Sequence, residues 1–352
     1  MARTDPQVRT KAAAALVVLL VGCSMQIPSP TGGPSQSGAV TPSASPTGGP
    51  SQSGAVTPTA SPASKGVDST MVVMAAGDIA CDPVDPTINL GRGTATRCRQ
   101  ADTARLLSGA DLILTLGDNQ YECGGLTAYR ASFDRSWGAF KSRIRPAIGN
   151  HEHNATGSKG VGTSCDATRS GGGYFTYFGS AAPAGAYSFD MGGWHFATVD
   201  STCGLSAVHC AAEAMWLATD LAAHPVACSL VFYHHPRWSS GGHGDILTSD
   251  PFWRVAAAAG VDVILSGHDH DYERFAPMAA NGGASAAGVR EFVVGTGGRN
   301  FTAFSVIQRN SVVRNANTFG VLKLTMHPTS YDWQFLPIAG QTFTDRGSGS
   351  CH

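Results

Sequence analysis

The chain has 352 residues, 42% of them hydrophobic, which is enough for one large domain or two ordinary ones with a sizeable core. A formal net charge of −1 and a charged fraction of 14% leave no basic excess of the kind that phosphate neutralisation demands of a nucleic-acid binder. They also exclude a wholly disordered chain, which needs high net charge and few apolar residues.

Taken in chain order, residues 1–23 read as an export signal. Arg3, Arg9 and Lys11 give a positive start, and Ala12 to Val21 is an apolar core too short to span a membrane. It ends in Leu20-Val21-Gly22-Cys23, which resembles the lipobox of bacterial lipoproteins. That resemblance implies lipidation at Cys23 and an exported protein anchored to the membrane at the cell envelope or outside it. The other reading is a plain secretory signal with an incidental cysteine. Residues 24–69 read as a disordered linker. Ser29 to Ala44 recurs almost letter for letter as Ser45 to Ala60, and only Lys65 and Asp68 carry charge. Such a stretch buries too little apolar area to offset its ordering entropy, and its r.m.s. span would be roughly 35–40 Å.

From residue 70 to 352 the texture is that of one α/β domain, with short apolar runs alternating with helix patterns. Met71 to Ala76 and Asp111 to Leu116 are predicted strands, each followed by Gly-Asp. Leu126, Tyr129, Phe133, Trp137 and Phe140 recur at helical spacing and predict an amphipathic helix. Leu230 to Tyr233 is a strand running into His234. Asp250 as cap, Pro251 in the first turn and Gly260 as terminator bound a further helix. Val261 to Leu265 is the next strand, ending at Gly267-His268.

Five stretches therefore set metal-ligating residue types just past strand ends, the edge where open α/β sheets bind ligands. They are Gly77-Asp78, Gly117-Asp118-Asn119-Gln120-Tyr121, Gly149-Asn150-His151-Glu152, His234-His235-Pro236 and Gly267-His268-Asp269-His270. One such stretch alone is ordinary turn chemistry; five in this order are not.

This constellation resembles the calcineurin-like metallophosphoesterases, and within them the purple acid phosphatases, from about residue 70 to the C-terminus. The resemblance implies a two-sheet β-sandwich flanked by helices with a dinuclear metal centre at the strand ends. It implies Asp78, Tyr121 and His270 on one metal, Asn150, His234 and His268 on the other, and Asp118 bridging. It further implies a phosphomonoesterase that acts through a metal-activated water on a small phosphorylated substrate. A phosphodiesterase or nucleotidase on the same scaffold is the alternative, and a non-catalytic phosphate-binding lipoprotein the remote one. Many relatives carry a histidine two residues after the first aspartate; here Ala80 stands there, and Tyr121 fills the gap. A phenolate is a hard donor, which points to Fe(III) paired with a divalent ion (Fe, Zn or Mn); an all-divalent Zn/Mn pair is the alternative. His151 and His243 are the catalytic candidates, touching phosphate or moving protons. His235 competes with His234, and the family register favours His234. Tyr272-Glu273-Arg274 also matches and is read as support. His153, His195, His209, His224, His327 and His352 have no motif and read as structural or solvated. The stretch from Ser158 to Gly173 reads as a specificity loop.

Setting Cys23 aside, eight cysteines remain in a chain bound for an oxidising compartment, which allows four disulfides. The expected pairs are 81–98, 123–165 and 203–210, which close short loops around the motifs, and 228–351, which ties the C-terminus to the strand before His234.

Overall fold

The computed structural model describes residues 70–153, 165–168, 170–205 and 207–352. The export signal, Cys23, the linker and much of the expected specificity loop lie outside the described residues. Thirteen strands are described: β1 (Met71–Ala76), β2 (Leu112–Leu116), β3 (Ile144–Ala147), β4 (Tyr187–Met191), β5 (Trp194–Thr198), β6 (Cys228–Phe232), β7 (Val263–Ser266), β8 (Tyr272–Phe275), β9 (Arg290–Val294), β10 (Ser311–Asn315), β11 (Gly320–His327), β12 (Ser330–Pro337) and β13 (Arg346–Ser350). They form two mixed sheets. One has the order β13-β12-β11-β1-β2-β3, the other β10-β8-β9-β7-β6-β5-β4.

The sheets pack face to face. Val73, Ile113, Leu114 and Leu324 of the first sheet share one core with Phe196, Phe232, Leu265 and Phe292 of the second. Every residue of β2 and β5 is buried, as expected of strands covered on both faces. Each such large side chain contributes roughly 1.5–3 kcal/mol by leaving water. A smaller core lies on the outer face of the second sheet, where Val231, Tyr233, Ile264 and Val293 meet Leu217, Phe252 and Trp253 from helices. The fold is thus the expected α/β sandwich.

The helices are α1 (Gln100–Ala104), α2 (Leu126–Ala128), α3 (Gly172–Phe178), α4 (Ala207–Ala223) and α5 (Asp250–Ala259). Two expectations need correction. The stretch after Leu126 is not one helix. The single turn α2 passes into a π-turn over Tyr129–Phe133, and a separate 3₁₀ segment covers Trp137–Arg143. The break lies at Ser136, with φ −128° and ψ −89°. Periodicity read the buried face correctly: Tyr129, Phe133 and Trp137 are all inside. It could not show that Gly138 must fit beside Tyr177 and Asp134, where a Cβ would lie 2.6 Å from the Tyr177 hydroxyl. In α5, Ser249 holds the cap position and makes no side-chain cap bond. Asp250 lies inside the helix, and its carboxylate accepts from Arg237 Nε at 2.7 Å and Arg254 Nε at 2.5 Å. Gly260 ends the helix with φ 74°, as expected.

All four expected disulfides are present: Cys81–Cys98, Cys123–Cys165, Cys203–Cys210 and Cys228–Cys351. Among the described residues no helix is long and apolar enough to cross a membrane.

Candidate metal centre

Each expected ligand stands a few residues past a strand end, where the chain leaves the ladder and turns. Asp78, Asp118 and Asn150 follow β1, β2 and β3; His234 follows β6; His268 and His270 follow β7. Within each sheet these strands are parallel neighbours, so their ligands share an edge. The turns are tight. Asp78, Asp118 and His268 adopt left-handed φ of 59°, 47° and 71°, which costs a residue with a side chain about 1–3 kcal/mol. The motif glycines make room for one another's ligands. A Cβ on Gly117 would lie 2.6 Å from His234 Nδ1, and one on Gly149 would lie 2.2 Å from Asp118 Oδ1.

The side chains gather into two groups that share Asp118. In the first, the Tyr121 hydroxyl lies 2.8 Å from Asp78 Oδ1, 3.2 Å from Asp118 Oδ2 and 3.0 Å from His270 Nε2. In the second, His234 Nε2 lies 2.8 Å from Asn150 Oδ1, 3.3 Å from Asp118 Oδ2 and 3.2 Å from His268 Nδ1. Ligand atoms of Asp78, Asp118 and His234 all fall within 4.8 Å of one another.

The chemistry of this donor set fits cations. His234 Nδ1 donates to the Leu116 carbonyl at 2.9 Å, so its Nε2 is the atom turned into the group. It meets an amide oxygen, a carboxylate oxygen and an imidazole nitrogen, all electron-pair donors. Burial works against charge on Asp118, but His234 and His151 outweigh it and hold the carboxyl well below its usual range. Burial likewise opposes a charged His234, and Asp118 overcomes this and pushes the imidazole up to about 9. Burial first, then Asp78 and Asp118, raise the Tyr121 phenol well above its ordinary value. His268 is held well below its ordinary value by burial and by His235, His234 and His243. Negative oxygens and neutral lone pairs thus converge where positive charge is favoured, and two cations match the two groups.

His151 lies against the shared ligand. Its backbone N–H donates to Asp118 Oδ1 at 2.9 Å, its Nδ1–H donates to the Glu122 carbonyl at 2.6 Å, and its Nε2 is 3.9 Å from Asp118 Oδ2. His243 sits at the rim, its ring 4.4 Å from that of His268 and its side chain 46% exposed. His235 also reaches the second group, its ring 4.4 Å from that of His268, with Nδ1 donating to the Ser201 carbonyl at 2.9 Å. His234 is the one of the pair that touches Asp118 and Asn150. Tyr272 and Arg274 hold Asp345, while Glu273 accepts from Ser240 Oγ at 2.5 Å.

Sequence reasoning passed over two residues. Asp269, fully buried, accepts from His243 Nδ1–H and backbone N–H at 2.9 Å each and from Ser239 Oγ at 2.5 Å. Glu152, also fully buried, accepts from the Gln120 and Gly149 N–H groups at 3.0 and 2.9 Å and so clamps two ligand turns together. Their only signal was an acidic residue inside each motif.

None of the curated proteins compared with the chain matches it in sequence. Solved structures resemble it at the level of fold. Purple acid phosphatase PPD1 from yellow lupin (Lupinus luteus) seeds is 19% identical, with a TM-score of 0.58 over 80% of this chain. The chain spans about half of the lupin protein, 54% of its length. GAP50, the anchor in the inner membrane complex of Plasmodium, is 13% identical, with a TM-score of 0.52 over 80% of this chain and 89% of that one. The family profile of the calcineurin-like phosphoesterases matches residues 71–272, more than half of the sequence and every ligand turn described above. The chain belongs to the calcineurin-like phosphoesterase family.

Proposed function

We propose that this protein is an exported, lipid-anchored phosphomonoesterase with a dinuclear centre of Fe(III) and a divalent ion. The carrying observation is one buried carboxylate, Asp118, shared by two ligand groups and flanked by the imidazoles of His234 and His151, each anchored through Nδ1. Asp78, Tyr121 and His270 would hold one ion, Asn150, His234 and His268 the other, with Asp118 between them. When bound, the two ions supply positive charge to a phosphoryl group and lower the pKa of water.

The rest of the chemistry belongs to this chain's side chains. The Glu122 carbonyl fixes the tautomer of His151, which leaves Nε2 facing the centre, placed to hold a phosphate oxygen or a proton. The bond to Asp269 raises His243 above its ordinary value, so its Nε2 can carry a proton to a leaving-group oxygen. Buried Asp269 keeps that ring oriented from below, while the exposed rim admits the alcohol part of an ester. The lupin protein's name as a purple acid phosphatase supports monoesters as the substrate class. A phosphodiesterase or nucleotidase would use the same centre.

The test is turnover of p-nitrophenyl phosphate, bis-p-nitrophenyl phosphate and nucleotides by the metal-loaded protein, alongside Asp118→Asn. The expected result is highest kcat/KM on the monoester. The variant should lose metal and more activity than the roughly 10–100-fold that supporting residues of a metal site usually cost. Equal metal content and activity in wild type and variant would overturn the site. Preference for the diester would overturn the substrate class.

A further inference from the structure

A second cluster of imidazoles and carboxylates lies at the other end of the second sheet. In the β4–β5 hairpin Asp190 pairs in register with His195. His195 stands near the start of β5, whereas the metal centre gathers past the ends of its parallel neighbours β6 and β7, so the two sites occupy opposite edges. The His195 side chain is 1% exposed, and carboxylates face both of its nitrogens: Asp190 Oδ1 lies 2.7 Å from Nδ1, and Asp220 Oδ2 2.8 Å from Nε2. His224, just past α4, stacks on this ring with centroids 4.4 Å apart and planes 12° apart. One ligand atom from each of Asp190, His195 and His224 lies within 4.8 Å of the other two.

We propose that Asp190, His195 and His224 bind a divalent transition ion, zinc by donor chemistry, as a site separate from the dinuclear centre. The arrangement around His195 is that of a metal-bound imidazole with a carboxylate behind it. Asp220 Oδ2 accepts from Nε2–H, and Ser188 Oγ steadies the same carboxylate at 2.7 Å through Oδ1. That fixes the tautomer and leaves the Nδ1 lone pair turned toward Asp190. A neutral imidazole has one N–H, so two carboxylates in line with its two nitrogens call for one positive charge on the line to Asp190, which a metal ion supplies in place of a second ring proton. No lysine or arginine among the described residues pairs with Asp190 or Asp220 to supply it. His224 Nδ1–H donates to the Asp220 carbonyl at 2.8 Å, which leaves Nε2 as its electron-pair donor. The carbonyl end of α4 adds partial negative charge.

Two imidazoles and a carboxylate are the mixed nitrogen and oxygen set that zinc takes, with water in the fourth place. Ligand atoms around a tetrahedral zinc stand about 3.3 Å apart. To reach that arrangement Asp190, now 2.7 Å from Nδ1, opens to that spacing and His224 turns out of its stack so that Nε2 faces the ion; their side chains are 62% and 39% exposed and free to do so, while buried His195 stays fixed. An ion here would staple the edge hairpin to the end of α4.

The test compares the full-length protein with Asp190→Asn/His224→Gln, both substitutions lying on exposed side chains outside the dinuclear centre. Each protein is dialysed against micromolar Zn²⁺, and metal per chain and the thermal midpoint are measured. The expected result is one zinc fewer per chain in the variant, a larger zinc-dependent rise in Tm in wild type than in the variant, and equal phosphoesterase activity. Co²⁺ loading of wild type should add tetrahedral d–d absorption that the variant lacks. Equal metal content with no difference in zinc-dependent Tm would overturn the site and leave His195 a hydrogen-bonded structural residue.

Discussion

Tyr121 shows how much depends on a single atom. Its hydroxyl touches Asp78, Asp118 and His270, and on the proposed Fe(III) it would be a phenolate ligand. The native protein should then be pink or purple, and Tyr121→Phe should abolish the visible band while the fold stays intact. A colourless wild type holding only zinc or manganese would remove iron from the proposal and leave the remaining ligands in place. Asp269 supports a prediction of a different kind, because it touches His243 and not the ester. Asp269→Asn should lower kcat by roughly 10–100-fold on alkyl phosphates, whose leaving groups need a proton. It should cost far less on p-nitrophenyl phosphate, whose leaving group does not. An equal loss on both would make the bond structural only. The ligands were legible because each stands just past a strand end, and Asp78, Asp118, Asn150 and His268 directly follow a glycine. Asp269 and Glu152 were not, because their roles depend on partners 26 and 32 positions away in the chain.

Among the elements, β8 and β12 belong to different sheets and meet through one carboxylate. Asp345 accepts from Tyr272 at 2.7 Å, Arg274 Nε at 2.6 Å and Trp333 Nε1 at 3.1 Å. Burial alone would raise this carboxyl; its bonds to Arg274 and Tyr272 and the Arg274 charge hold it below the usual range. Asp345→Ala should therefore cost about 3 kcal/mol in denaturant unfolding at neutral pH, since it leaves a largely buried arginine, its side chain 12% exposed, unpaired. A group whose pKa is lowered by folding stabilises above its unfolded value, about 4, and loses that effect as the pH falls through the folded one. The gap between wild type and variant should be constant at neutral pH and narrow in acid. A gap that widened in acid would contradict the ion pair. Strands were readable from short apolar runs with turn residues behind them. The broken helix after Leu126 was not, because Gly138 answers to Tyr177, a neighbour that no local pattern reveals.

For the whole molecule, the eight cysteines of the catalytic region form four bridges, the state expected of a chain that folds in an oxidising compartment. The pairs are those expected: three close the shorter loops, and the fourth ties the C-terminus to the strand before His234. The leader carries the other prediction at this scale. The mature wild-type protein should partition into detergent, and Cys23→Ser should release or misprocess it, because lasting anchorage takes more than one acyl chain. Wild-type protein found free in the aqueous phase and cleaved away from Cys23 would end the lipoprotein proposal.

The interlocked motif glycines also bear on ancestry. Gly149 leaves space for Asp118, and Gly117 leaves space for His234, so neither turn can acquire a side chain without displacing a ligand borne by another. Drift at one motif should thereby be opposed by the next, and the set should be inherited as a block. Descendants of this fold that abandon hydrolysis are released from that constraint at every turn simultaneously. In such lineages the small residues and the ligands should disappear together, so a retained glycine beside a vanished aspartate would mark a recent loss of activity.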